Sequence, residues 1–338
     1  MSGSSDRSIR LYNPAPSAPL HPPTAFVTKR SAPPAPVPEG RLIQTYAAHG
    51  YAVLSLAVAA DNARFASAGG DRAVLLWDVA SATTLRRFGA SGPGGHAGRV
   101  NAVAFAGDGD SLVVSGGLDA AVRVWDARAG GPGARPVQAL TDARDAVSAL
   151  AVRGPEILAG SVDGRLRTYD ARTGRLVTDV LGASVTSLCL ARDGRAVLVG
   201  TLDSRLRLLD RDSGACLRTY DAPGRWRNEE LRVQSVLGGR ERWVVAGDEL
   251  AGDDAAAAAA DGHGRVWAWD LLTGKLAATL AVPWGPEAPE ARRRAVGRDG
   301  REKERRNVVS SIAWRDDGWG DQFCVGGASG TVTVFGQS

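Results

Sequence analysis

The stretch Gly69–Ser81, GGDRAVLLWDVAS, sets out a unit in which a turn aspartate, Asp71, precedes a Trp-Asp pair by six residues, with apolar residues between. The unit recurs as LDAAVRVWDAR (Leu118–Arg128, with Asp119 and Trp125) and VDGRLRTYDAR (Val162–Arg172, with Asp163 and Tyr169). It recurs again as LDSRLRLLDRD (Leu202–Asp212, with Asp203 and Leu209). Weaker copies are HGRVWAWDL, where His263 stands in the aspartate position before Trp269, and SGTVTVFG, with Ser329 before Phe335. An opening copy, SDRSIRLYN, carries Asp6 and Tyr12. Chance does not supply seven copies with one spacing. The alternation inside each has a period of two, which predicts a strand with one buried face.

Further apolar runs flank most units. For the Asp119 unit they are Val100–Phe105 and Ser111–Ser115 upstream and Pro136–Leu140 downstream. Four short strands repeating about every 40 to 45 residues and closed by Trp-Asp predict an all-β fold, a WD-repeat β-propeller on a seven-bladed plan. One propeller domain then spans residues 1–338. The 42 glycines, against five tyrosines and six phenylalanines, suit many tight turns. Two blades hold every group needed for an internal hydrogen-bond network: His49, Ser67, Asp71 and Trp77, then His96, Ser115, Asp119 and Trp125. A buried aspartate needs partners to offset lost hydration, and imidazole, hydroxyl and indole supply them. Ala159 and Val199 fill the serine position of the next two blades, with no histidine ahead. Those blades are expected to rely on packing.

Several segments resemble the mitogen-activated protein kinase organizer family, a WD-repeat scaffold. They are GGDRAVLLWDVAS, GHAGRVNAVAF, DARDAVSALAV with EILAGSVDGRLRTYD, and TLDSRLRLLDRDSG. The likeness runs from about Thr45 to Gly214; from Glu229 onward only blade positions match. The resemblance implies a seven-bladed propeller that gathers kinase-cascade components and is found with spliceosomes late in splicing. It transfers no catalytic residues. Set against the family, Met1 falls just before a third strand, so the first blade is expected to lack its first two strands. The last blade is expected to lack the strand after Phe335. A start codon placed too late would account for both; a six-bladed ring with a loose N-terminal strand is the alternative.

Three insertions exceed blade geometry. Residues 14–40 hold nine prolines between Pro14 and Pro38. They read as an extended solvated spacer, with PxxP at Pro16–Pro19 and Pro19–Pro22 leaving an SH3-type ligand as the alternative. Residues 248–260 combine acidic residues with six consecutive alanines and read as a disordered or briefly helical bulge. Residues 283–307 form a charged basic insertion, with eight basic and three acidic residues between Arg292 and Arg306. A solvated loop is the plain reading; a nuclear-import signal and an RNA contact are the alternatives, the latter weakened by the scarcity of aromatic residues there. Because this cluster outweighs the formal charge of +4, the rest of the chain is close to neutral.

Three scattered cysteines, Cys189, Cys216 and Cys324, form no CxxC and fit a reducing compartment. With no secretory signal, no long apolar run and no glycosylation sequon, the chain is expected in the nucleus and cytoplasm, with no membrane partner. No catalytic, cofactor or metal set stands out. The histidines are dispersed, and there is no HExxH, no GxSxG and no phosphate-loop motif. Gly92–Ala97 fits GxGxxA but joins two antiparallel strands, where a dinucleotide site would need a strand and then a helix.

The expectation is therefore a non-enzymatic interaction scaffold, monomeric within larger assemblies, with spliceosomal factors or kinase-cascade components as partners. The late spliceosome is preferred, because the basic insertion suits a nuclear ribonucleoprotein. Residues just ahead of each blade's first strand should reach the recognition face: Tyr51, Arg99, Arg144 and Asp145. A second class is a ubiquitin-ligase substrate receptor, for which paired Trp-Asp-x-Arg motifs dock an adaptor. WDAR at Trp125–Arg128 matches, and YDAR at Tyr169–Arg172 nearly does.

Overall fold

Each repeat folds into its own antiparallel sheet, and seven such sheets follow one another along the chain. The computed structural model describes residues 1–16, 39–89, 94–128, 135–250, 263–285, 294–296, 302–304, 306–315 and 322–336. Among these there is no helix. Blade 2 comprises Val53–Val58, Arg64–Gly69, Val74–Asp78 and Thr84–Phe88 in spatial order. Blade 3 comprises Val100–Ala106, Leu112–Gly117, Val122–Asp126 and Gln138–Leu140. Blades 4, 5 and 6 repeat this four-stranded order from Val147, Val185 and Ser235. Blade 7 has three strands: Val309–Trp314, Phe323–Gly327 and Thr333–Phe335.

Blade 1 also has three strands, and it departs in one detail from the expectation that its first two are missing. Ser2 and Gly3 pair with Arg10 and Ile9, so a two-residue strand stands in the second position, ahead of Ser8–Pro16 and Gly40–Ala47. It is held against blade 2 by the Val53 N–H donating to the Ser4 carbonyl at 3.1 Å.

The core is a series of layers between blades, and this corrects the expectation of one buried face. In Val74–Asp78, Val74 and Leu76 pack into the layer shared with blade 3. Leu75 and Trp77 pack into the layer shared with blade 1. All four are no more than 2% exposed. The period of two therefore sorts side chains between two neighbours. Each large apolar side chain buried this way contributes roughly 1.5 to 3 kcal/mol. Similar layers join blades 3 and 4 through Val122, Val124 and Tyr169, and blades 5 and 6 through Leu206, Trp226 and Trp269.

First strands line the axis, packing in order from blade 2 to blade 7. Five of them carry a bulge at the same place, between Val53 and Ser55, Val100 and Ala102, Val147 and Ala149, Val185 and Ser187, and Val309 and Ser311. A bulge leaves one residue out of the ladder and re-aims it. Polar residues in and beside these bulges stitch neighbouring blades together. Ser55 Oγ accepts from the Val103 N–H at 3.2 Å, and Asn101 Nδ2 donates to the Val147 carbonyl at 2.9 Å. Ser148 Oγ donates to the Val185 carbonyl at 2.5 Å, Ser187 and Ser235 hydroxyls meet at 2.7 Å, and Gln234 Oε1 accepts from Ser311 and Ile312.

Residues 17–38 of the proline-rich insertion, which hold its PxxP motifs apart from Pro16, lie outside the described residues, as do 251–260 of the alanine-rich insertion. In the charged insertion the backbone pairs Arg294–Val296 with Glu302–Glu304. The roots of these last two insertions stand together. The Val309 N–H donates to the Asp248 carbonyl at 3.0 Å, and Arg306 Nη1 to the Leu250 carbonyl at 3.1 Å.

Candidate interaction face

Blades 2 and 3 assemble the network read from their residues. The Trp77 indole donates to Ser67 Oγ at 2.8 Å, which directs the hydroxyl proton to His49 Nε2 at 2.7 Å and leaves Nδ1–H facing Asp71 at 2.9 Å. In blade 3, Trp125 meets Ser115 at 2.8 Å, Ser115 meets His96 at 2.8 Å and His96 meets Asp119 at 2.9 Å. The Gly50 and Ala97 N–H groups complete the two carboxylates. Burial alone would raise Asp71 and Asp119, but the imidazole and backbone hydrogen bonds outweigh it and hold both below the ordinary aspartate range. Room for the imidazole comes from glycine: a Cβ on Gly117 would lie 2.7 Å from His96 Nδ1.

Blades 4 and 5 do not rely on packing alone, which corrects the expectation drawn from Ala159 and Val199. Arg167, 3% exposed, donates from Nη2 to Asp163 Oδ2 at 2.7 Å and from Nη1 to Ser161 Oγ at 2.8 Å. In blade 5, Arg207 pairs with Asp203 and donates to Thr201 Oγ1 at 2.5 Å. Both aspartates are again held low: burial opposes, and the guanidinium and hydroxyl hydrogen bonds prevail. Blade 6 differs once more. His263, expected in the aspartate position, is exposed. The buried carboxylate is Asp248, which accepts from the Trp267 indole at 2.7 Å, and burial pushes it above the ordinary range.

These aspartates anchor one end of the molecule, where second strands turn into third strands and first strands begin. Tyr51 is 65% exposed and its Cβ lies 3.1 Å from where a Cβ on Gly70 would stand, beside the Asp71 turn. The Arg99 carbonyl accepts from the Leu118 N–H at 2.8 Å, next to Asp119. The Arg144 N–H donates to Asp163 Oδ2 at 3.1 Å, and Asp145 Oδ1 accepts from the Ala146 N–H at 2.6 Å. Arg99, Arg144 and Asp145 are exposed. All four stand on the same end, and Arg99 and Arg144 are hydrogen-bonded to the turns beside them.

A residue missed in the sequence sits at the centre of this end. The valine that opens or precedes each first strand follows Ala52, Arg99, Ala146, Ser184, Arg232 and Val308 in blades 2 to 7. Arg232 is therefore the blade 6 counterpart of Arg99. It reaches two other blades: Nη1 donates to the Asn101 carbonyl at 2.6 Å and Nε to the Thr186 carbonyl at 3.3 Å, both at bulge positions. Only a side chain at the axis can reach blades 3 and 5 from blade 6. Comparing the residue ahead of each valine would have found it.

Arg128 and Arg172 follow third strands, on the opposite end, where their N–H groups donate to Asp126 and Asp170. Gly94 to Ala97 of the GxGxxA match connects blade 2 to blade 3. Within it Gly95, at a variable position of the motif, is required by close approach, since a Cβ there would lie 2.1 Å from the Gly89 carbonyl oxygen. Among the described residues, no group of three or more His, Cys, Asp or Glu side chains is placed to hold a metal ion.

Comparison with known proteins matches the WD domain, G-beta repeat, at residues 40–78 and 89–126. The chain is similar to WD repeat domain-containing protein 83 of Rattus norvegicus, 38% identical over 150 residues, 44% of this chain and 42% of that protein. It is similar to the WD repeat domain-containing protein 83 homolog of Dictyostelium discoideum, 26% identical over 309 residues, 83% of this chain and 81% of that one. A guanine nucleotide-binding protein subunit beta of Zea mays is 32% identical over 111 residues, 33% of this chain and 29% of that protein. The matched region thus spans under half the length of the rat relative.

Proposed function

We propose that this WD-repeat β-propeller is a non-enzymatic scaffold for protein–protein interaction, associated with the spliceosome in pre-mRNA splicing. The observation that carries the scaffold reading is the end bearing Tyr51, Arg99, Arg144 and Asp145, exposed side chains of which Arg99 and Arg144 have backbones hydrogen-bonded to the Asp119 and Asp163 turns. Such a surface meets a partner without first having to be ordered. Arginine and tyrosine are the side chains enriched where binding energy concentrates. The splicing assignment rests on the resemblance to the kinase-organizer family and on the basic cluster between Arg292 and Arg306, which suits a ribonucleoprotein setting. The protein works as a monomer within larger assemblies, in nucleus and cytoplasm, without a cofactor.

The second reading, a scaffold for a mitogen-activated protein kinase cascade, is favoured by the same resemblance. Affinity capture of the tagged full chain from nuclear and cytosolic extracts, with and without nuclease, separates the two by mass spectrometry. Late-stage splicing factors retained after nuclease support the first; kinases and their adaptors alone support the second. Arg99→Glu should reduce capture with an unchanged melting temperature, and unchanged capture would remove Arg99 from the face. A ubiquitin-ligase receptor, the third reading, would instead lose its adaptor on Arg128→Ala with Arg172→Ala.

A further inference from the structure

We propose that the axial end of this face is a receptor for an acidic side chain of a protein partner, with Arg232 and Arg99 as the receiving cations. The inference rests on the scaffold reading and names the chemistry of its partner.

Of the six residues ahead of the first-strand valines, only Arg99 and Arg232 are charged. Arg232 spends two of its nitrogens on neutral carbonyls, at Asn101 and Thr186. Among the described residues no carboxylate pairs with it, and none pairs with Arg99. Three aspartates of this end have cations of their own: Asp119 with Arg123, Asp163 with Arg167 and Asp203 with Arg207. At the axis two like charges thus lie within electrostatic reach of each other, and among the described residues neither is paired with a carboxylate. Burial, and secondarily the charge of Arg99, bring the Arg232 guanidinium down to about 10, still protonated at neutral pH. Protein surrounds it on nearly all sides, yet it keeps contact with solvent.

An enclosed cation held only by backbone dipoles carries an uncompensated desolvation cost. An incoming carboxylate relieves that cost and screens the repulsion from Arg99 at once. It also gains charge-assisted hydrogen bonds in a setting where they are stronger than in water. The carbonyls of Asn101 and Thr186 pre-orient the guanidinium, so little side-chain freedom is lost on binding. A peptide side chain suits the place better than a duplex or a membrane, because the cation is largely enclosed among the packed first strands.

The test is fluorescence anisotropy of a labelled peptide with three adjacent glutamates against the full chain, with competition by inorganic phosphate. Arg99→Gln and Arg232→Gln should each weaken binding about tenfold, as loss of one charge-assisted partner does. Arg128→Gln, at the opposite end, should bind as the unaltered protein does. Should Arg232→Gln fold poorly, Arg99→Gln, an exposed substitution, still decides. Equal binding by the Arg99 and Arg128 variants overturns the inference, as does absence of binding. So does phosphate that competes as well as a glutamate peptide, which would make the site a phosphate receptor. None of these results touches partner capture by the rest of the face, which is read separately from extracts.

Discussion

Blades 2 and 3 and blades 4 and 5 solve the same problem with different chemistry. Each must keep an aspartate at a turn that is partly withdrawn from water. In the first pair, imidazole, hydroxyl and indole pass a chain of hydrogen bonds to the carboxylate. In the second pair, a guanidinium from the third strand grips the carboxylate directly, with Ser161 or Thr201 beside it. Asp119 has something of both, since Arg123 Nη1 also reaches it at 2.7 Å. The lesson is that the turn needs a stabilised anion, and the means of stabilising it are interchangeable. What differs is the consequence of failure. Loss of the serine removes shared hydrogen bonds, whereas loss of the arginine strands a charge.

Removing Arg167 should therefore be the most damaging change. Arg167 and Asp163 side chains are 4% and 9% exposed, so Arg167→Ala strands a carboxylate where water reaches it poorly. A loss of about 3 to 5 kcal/mol is expected in urea unfolding; a loss below about 1 kcal/mol would show the ion pair to be dispensable. Ser115→Ala in blade 3 leaves the Trp125 indole and His96 Nε2 without their shared partner, and should cost about 1 to 3 kcal/mol. Arg207→Ala should cost least, about 1 kcal/mol, because the Asp203 side chain is 29% exposed and rehydrates.

Acid sharpens the contrast further. Asp163 sits below its ordinary value of 3.8 in the folded chain, so its contribution is complete above that pH and is lost as the pH falls through the folded value. Protonated Asp163 no longer needs its cation. The stability gap between the unaltered protein and Arg167→Ala should then narrow below pH 3.8. A constant Arg167 gap would mean that the side chain acts by packing.

Much of this was legible in the sequence. The Asp-to-Trp spacing located the third strands, and His49, Ser67, Asp71 and Trp77 announced their network by residue type alone. Tyr51, Arg99, Arg144 and Asp145 could be placed because they precede recognisable first strands. Arg167 and Arg207 could not. In RLRTYD and RLRLLD they read as the polar half of an alternating strand, and nothing local says that the strand is covered on both sides. Burial on both sides is a property of the neighbouring blades, which no single repeat displays. Arg232 was hidden for a related reason. Its partners, Asn101 and Thr186, are 131 and 46 residues away, joined only when the blades are arranged around one axis.

That one strand serves two layers has a consequence for how such a chain can change. Sliding Val74–Asp78 by a single residue against its neighbours would exchange the tenants of both layers, sending Trp77 toward blade 3 and Leu76 toward blade 1. Every third strand is thus held in register by two juries that must agree. Additions of length are tolerable only where neither sits, at the junctions between strands, and the three insertions of this chain all fall at such junctions.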